Sequence, residues 1–288
     1  MKLGIVTPAL TLLPSAHARW EEDASLDDIV GVVEAAERLG YHHCTCSEHV
    51  VVPVDVAEVR GGRYWDPLAI FGYLAARTTT IRFATHVLVL GYHHPLAIAK
   101  RYGTLDVVSR GRLILGVGVG SLREEFELLG ARFADRGARA DDAMRALRAA
   151  LGAREPSYKG EYYEFSGLLV EPHAEQEGMP MWVGGQTSRS LRRAVELADG
   201  WAPFGLGSAE IAAMLERARD TEAFSARRQA LEVVLQNERP FDPIAEPDRV
   251  AEQVGRLTDA GATALNVRFV HHSPAHYAEQ LAALRTIV

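Results

Sequence analysis

The chain has 288 residues, a formal charge of −7 with histidine counted neutral, and 48% apolar and 24% charged residues, the balance of a soluble globular protein. That composition excludes a disordered tail, a fibrous repeat and a disulfide scaffold. The acidic balance argues against a dedicated nucleic-acid or membrane-surface binder.

The first residues, Met1-Lys2-Leu3-Gly4-Ile5-Val6, lack a basic region followed by a long apolar stretch, so no signal peptide is expected. No apolar run approaches the roughly 18 residues of a membrane span. Only two cysteines occur, Cys44 and Cys46. A disulfide across one residue would be strained, and a reducing, cytoplasmic location is expected.

Short runs rich in Val, Ile and Leu recur at 3–7, 43–47, 81–90, 112–118, 181–184, 200–204, 231–237 and 264–270. Most lack strict apolar–polar alternation, which predicts parallel strands covered on both faces. Helical patterns lie between them. In the first, Leu26, Ile29, Val30, Val33 and Ala36 form an apolar face at spacings of three and four, with Glu34, Glu37 and Arg38 on the other side. Ser25 and Asp28 predict a capped helix start. Asp66-Pro67, His94-Pro95, Glu246-Pro247 and Ser273-Pro274 each place proline where a first helical turn begins. Gly40 and Gly261 predict helix ends.

Eight strands, each followed by a helix, predict an α/β fold: a single (β/α)8 TIM barrel over residues 1–288. An insertion at about 153–178, between the fourth helix and the fifth strand, predicts a hairpin or small excursion. Active sites of such barrels sit at the C-terminal strand ends. The candidate positions are therefore 7–10, 47–49, 87–94, 118–121, 184–188, 204–207, 237–239 and 268–272.

His49, at the end of the second strand, can titrate near neutrality and relay a proton, or it can be a rim histidine bonded to a neighbour. His42, Cys44 and Cys46 alternate along one strand, but a single strand is poor zinc geometry, and buried thiols behave as small apolar groups; no metal is expected. Gly116-Val117-Gly118-Val119-Gly120-Ser121 fails the dinucleotide pattern because its last position is Ser121. Its glycines still let a flat ligand approach the backbone. Gly184-Gly185-Gln186-Thr187-Ser188 joins a strand to a helix, where free N–H groups can bind phosphate or simply form a capped turn.

The chain resembles the bacterial luciferase-like monooxygenase superfamily, and within it the oxidoreductases that use the deazaflavin coenzyme F420. The resemblance rests on Ser47-Glu48-His49-Val50, Thr85-His86-Val87-Leu88-Val89-Leu90 and His94-Pro95-Leu96-Ala97-Ile98-Ala99-Lys100. It continues through Ser109-Arg110-Gly111-Arg112-Leu113-Ile114-Leu115-Gly116, Glu125-Phe126-Glu127, Trp182-Val183-Gly184-Gly185 and Ala198-Asp199-Gly200-Trp201. It implies His49 beside the redox centre with Glu48 as its acidic neighbour. It also implies a non-proline cis peptide at His86-Val87 following Thr85, a ring lined by Gly118, Val119 and Gly120, and a phosphate held by Gly184, Gly185, Gln186 and Thr187. The implied reaction is hydride transfer between coenzyme F420 and a small-molecule substrate. The alternatives are an FMN-dependent monooxygenase using reduced flavin and oxygen, and a non-catalytic flavin or deazaflavin carrier. A homodimer is implied by resemblance only. Sugar-phosphate dehydrogenases of this type have a glutamate where this chain has Ser121 and a tryptophan soon after the histidine. Here Val50, Val51, Val52 and Pro53 follow, so glucose-phosphate activity is not expected and an apolar pocket wall is.

Overall fold

A computed structural model describes residues 1–14 and 16–288. The strands are β1 (Lys2–Val6), β2 (His43–Cys46), β3 (Arg82–Thr85), β4 (Leu88–Val89), β5 (Leu113–Gly118), β6 (Tyr158–Lys159), β7 (Glu164–Phe165), β8 (Met181–Gly184), β9 (Gly200–Ala202), β10 (Glu232–Gln236) and β11 (Ala264–Val267). The helices are α1 (Leu26–Arg38), α2 (Val54–Arg60), α3 (Pro67–Arg77), α4 (Pro95–Val108), α5 (Arg123–Leu128), α6 (Arg136–Ala150), α7 (Ser188–Leu197), α8 (Ser208–Arg219), α9 (Glu222–Ser225), α10 (Pro247–Asp259) and α11 (Pro274–Ile287).

Nine strands pair in the order β3-β2-β1-β11-β10-β9-β8-β5-β4, and β3 also pairs with β5. All these pairings are parallel, so the sheet closes into the expected (β/α)8 barrel. Eight helices alternate with its strands, and α2, α5 and α9 are additions in the connections. The expected hairpin lies within the insertion as β6 and β7, paired Tyr158↔Phe165. The Asp142 carboxylate on α6 anchors it, accepting from the Tyr162 and Tyr163 amides at 2.7 and 3.0 Å.

The helix starts follow the sequence signals. Ser25 and Asp28 form a reciprocal capping box, and the side chains of Asp66, His94 and Ser273 each cap a helix that opens on proline. Gly40 and Gly261 have φ of 73° and 105°, the left-handed region that favours glycine at helix ends.

The third barrel strand carries the non-proline cis peptide that the family resemblance implied, and this interrupts the apolar run. The run 81–90 is not continuous: it breaks at a cis peptide between His86 and Val87, and β3 gives way to β4. Both pieces hydrogen-bond the same neighbour, through Ala84↔Ile114 and then Val89↔Gly118. Side chains hold the break. Ser47 Oγ donates to the His86 carbonyl at 2.9 Å, and Glu48 accepts the Val89 amide at 2.7 Å.

Alternate strand residues point inward. The lower barrel is packed by Ala84, Ile114, Trp182, Ala202, Val234 and Ala264. His43 joins them edge-on to Trp182, with ring centroids 5.1 Å apart. A Cβ on Gly4 would overlap the His43 ring, so glycine there makes the room. Cys44 and Cys46 are buried free thiols, and burial pushes the Cys44 thiol up to about 12.

Four histidines are buried without a charged acid partner strong enough to keep them protonated. Burial lowers His42, His86 and His271 to about 4, and His43 well below its ordinary value. Their folded forms are neutral where their unfolded forms take up protons. Stability is therefore full above about pH 6.5 and is lost as pH falls from there towards 4. Unfolding at pH 5 should take up roughly three to four protons at these groups, measured by calorimetry in buffers of different ionisation enthalpy. A melting temperature that stays flat between pH 6.5 and 5 would contradict this account.

Candidate active site

The inward positions that pack the lower barrel continue upward as a cavity. Two residues beyond Ala84, Ala202 and Val234 come His86, Phe204 and Gln236, and two beyond Asn266 comes Arg268. These four side chains, with Thr45, Ser47 and Val87, line a cavity of about 230 Å³ at the C-terminal mouth. On β5 and β8, between the strands that carry His86 and Phe204, the inward positions are glycines. A Cβ on Gly118 or Gly184 would lie 2.5 or 2.6 Å from Val87. Their missing side chains thus make room for Val87, which forms a platform between them. Gly120, at φ 76°, similarly leaves room for Phe126 and Val89.

A second group gathers beside this platform. His49 Nδ1 donates to Glu125 Oε2 at 2.7 Å, since an ionised carboxylate can only accept. Glu125 also accepts from Tyr92 Oη at 2.6 Å and from the Val50 amide at 2.6 Å. Burial opposes its charge, but the bonds from His49, Tyr92 and Val50 outweigh it and hold the carboxyl below its ordinary value. Burial and the Glu125 contact push the Tyr92 phenol up, so it remains a donor. His49 is held through Nδ1 while Nε2 has no hydrogen-bond partner among the described residues, and its ring meets Tyr64 edge-on at 4.5 Å.

Glu48 has a different task. It accepts from the Val89 amide and from His93 Nε2, each at 2.7 Å. It therefore fastens β4 to the end of β2. The structure brings Glu48, His49, Glu125, Tyr92 and His93 together. His86 and Val87 line the cavity, whereas His49 stands outside its lining. Thr85 is buried and donates to the Gly116 carbonyl at 2.7 Å.

Across the mouth, Gly185 has φ 135°, and Gln186, Thr187, Ser188 and Arg189 are exposed. Thr187 caps α7 by accepting from the Ser190 amide at 3.2 Å. The remaining first-turn amides have no partner within the helix, as at any helix start. A Cβ on Gly205 would lie 3.1 Å from Gln186 Oε1, so this loop adjoins the Phe204 segment of the cavity.

With this geometry in view, residues 1–241 match the family model described as Luciferase-like monooxygenase. The chain belongs to that family. It is 27% identical to an uncharacterised protein of Mycobacterium tuberculosis, over 83% of this chain and 84% of that one. Two solved structures share the fold across 100% of this chain and 98% of theirs. They are the monooxygenase RslO1 from Streptomyces bottropensis (19% identical, TM-score 0.81) and the coenzyme F420 dependent tetrahydromethanopterin reductase from Methanopyrus kandleri (16% identical, TM-score 0.77). Members of this family are oxidoreductases and monooxygenases. Among the described residues, no helix is long and apolar enough to cross a membrane.

One expectation is corrected. Val50 and Val51 do not wall an apolar pocket: they are 49% and 41% exposed and absent from the cavity lining. Their backbone rather than their side chains is held, because both amides point at Glu125. Sequence reasoning gave Glu125 no role. The signal was present, since Leu122, Glu125 and Phe126 share one helical face and a carboxylate among apolar neighbours needs donors.

Glu125→Ala would strand two amides, a phenol and an imidazole. A loss of about 2–4 kcal/mol is expected, read as a lower denaturant midpoint at unchanged slope. Glu125→Gln should lose less. A wild-type midpoint for the alanine variant would show that the carboxylate does not hold these loops.

Proposed function

We propose that the chain is an oxidoreductase that binds the deazaflavin coenzyme F420 and catalyses hydride transfer between it and a small organic substrate. The observation that carries this reading is the His49–Glu125 pair at 2.7 Å. Reduction or oxidation of a carbon–oxygen bond by hydride leaves one proton to manage, and a histidine held through Nδ1 offers Nε2 for that task.

The cofactor residues are consistent with such a group. Gly185, Gln186 and Thr187 offer exposed backbone at a helix start, where a phosphate is favoured by free amides and the helix dipole. Val87, seated over Gly118 and Gly184, offers an apolar surface for a ring. Thr85 bonds the Gly116 carbonyl two residues before Gly118, Val119 and Gly120 follow Gly118 in the chain, and Glu48 holds β4 by its Val89 amide. When bound, the deazaflavin ring supplies hydride chemistry and does not readily activate oxygen. The protein's part is to position the substrate, exclude water and hold or deliver a proton at His49 Nε2. A cytoplasmic homodimer is the expected working form, on resemblance alone.

A second reading, an FMN-dependent monooxygenase, is favoured by the family description and by the fold likeness to RslO1. Titrating the purified protein separately with the two cofactors decides between them. Tight binding of coenzyme F420 and weak binding of FMN is expected; the reverse, with oxygen consumption, would replace the first reading by the second. His49→Ala should lower turnover by about 10²–10⁴ and leave cofactor affinity unchanged. Unchanged turnover would remove His49 from the chemistry.

A further inference from the structure

Arg268 has no role in the preceding account, and its surroundings call for one. It follows β11, and its side chain points inward by continuing the alternation of Ala264 and Asn266. It lines the mouth cavity. Its backbone is engaged: the amide donates to Asn237 Oδ1 at 2.9 Å, and the carbonyl accepts from Asn237 Nδ2 at 2.8 Å. The guanidinium is different. Among the described residues it forms no salt bridge, and Nε is buried without a hydrogen-bond partner.

The cavity's other charged groups do not supply a counter-ion. Glu21 is the one carboxylate among the described lining residues. It is turned to the Ala9 and Ala18 amides at 2.7 Å each, and burial raises its proton affinity. Burial lowers the proton affinity of the Arg268 guanidinium. Arg268 is half-buried, with Nε sealed from water; an arginine cannot shed its proton to escape such a place, and a cation partly withdrawn from water without a partner is costly. The fold tolerates that cost at the position that faces the open space of the barrel mouth.

We propose that Arg268 is an anion-recognition residue of the reaction chamber and that the substrate class bears a carboxylate. A guanidinium pairs with a carboxylate through two parallel N–H···O bonds, which fixes orientation as well as charge. Phe204 and Phe269 supply apolar wall beside it, so the remainder of the substrate is apolar. This deepens the oxidoreductase reading and rests on it for the word substrate. The anion site itself stands on the geometry of Arg268.

The test measures binding of acetate, hexanoate and benzoate against their primary amides, by calorimetry on the purified chain. At least one carboxylate should bind tenfold or more tighter than its amide. Arg268→Gln should erase that preference, and Arg268→Lys should keep part of it. The Gln variant should also melt at or above the wild-type temperature, because it removes an unpaired charge; a lower melting temperature would reveal a structural partner and overturn the proposal. No carboxylate preference in the wild type, or one that survives Arg268→Gln, would likewise overturn it. The same variants are titrated with coenzyme F420 and FMN. Lost cofactor affinity in Arg268→Gln, without a carboxylate preference in the wild type, would assign the guanidinium to the cofactor instead. If neither cofactor binds the wild type while the carboxylate preference holds, the oxidoreductase reading fails and the anion site remains.

Discussion

Closing a parallel sheet into a barrel sends every second residue of each strand inward, and the rest of this structure depends on how that interior is filled. Below, it is filled by apolar side chains with His43 and Trp182 packed edge-on. Above, the same alternation places His86, Gln236 and Arg268 around a cavity. The change from apolar to polar occurs within two residues on each of these strands. The polar groups admitted lower down are few and enclosed: His43 packs edge-on against Trp182, and buried Asn266 donates to Thr45 Oγ1 at 3.4 Å. The lower packing therefore sets the floor on which any ligand would rest.

The upper wall needs a further constraint, because its third strand is broken. Two carboxylates act as fasteners from different directions. Glu48, from the end of β2, holds β4 by its Val89 amide; Glu125, from α5, holds the backbone after β2. Each is buried, and each is satisfied by several donors, which is the condition under which a buried charge stabilises. His49 lies between the two as a consequence. Its orientation is set by Glu125, while the segment on either side is tied by Glu48 and by the Val50 amide. Without either carboxylate the histidine would be an exposed side chain on a loop.

The alternation of short apolar runs with helical patterns made the barrel legible in the sequence. Helix starts such as Ser25 and Asp66-Pro67 were legible because caps are local: the residues that satisfy the first amides lie within four positions. The break at His86–Val87 was reachable through family resemblance alone. Periodicity could not show it, because Leu88, Val89 and Leu90 continue an apolar run through it. The valines after His49 misled for a related reason. Their composition suggests an apolar wall, whereas what holds them is backbone bonding to a glutamate 74 or 75 positions away. Gly118 was read as room for a flat ligand and Gly184 as part of a phosphate loop, and the side chain nearest both is Val87. In each case the missing information was a partner distant in sequence.

The same distinction explains why Arg268 escaped notice. Nothing in Val267-Arg268-Phe269 marks its arginine as different from the other basic residues of a chain with 31 of them. What distinguishes it is an inward, half-buried guanidinium with neither an acid nor a carbonyl to bond among the described residues, in a protein whose acids outnumber its bases. Many of those other arginines reach a carboxylate, as Arg193 reaches Asp141 and Arg148 reaches Asp199. With acids in excess, an inward arginine left without one reflects the placement of acids elsewhere. Glu21, in the same cavity, is turned to backbone amides. A site that selects for stability alone would pair or replace such a residue, and functional sites are where that optimum is given up. The unpaired guanidinium and the unbonded Nε2 of His49 then share one logic: Arg268 is held by its backbone and His49 through Nδ1, while the chemical group of each is left without a partner.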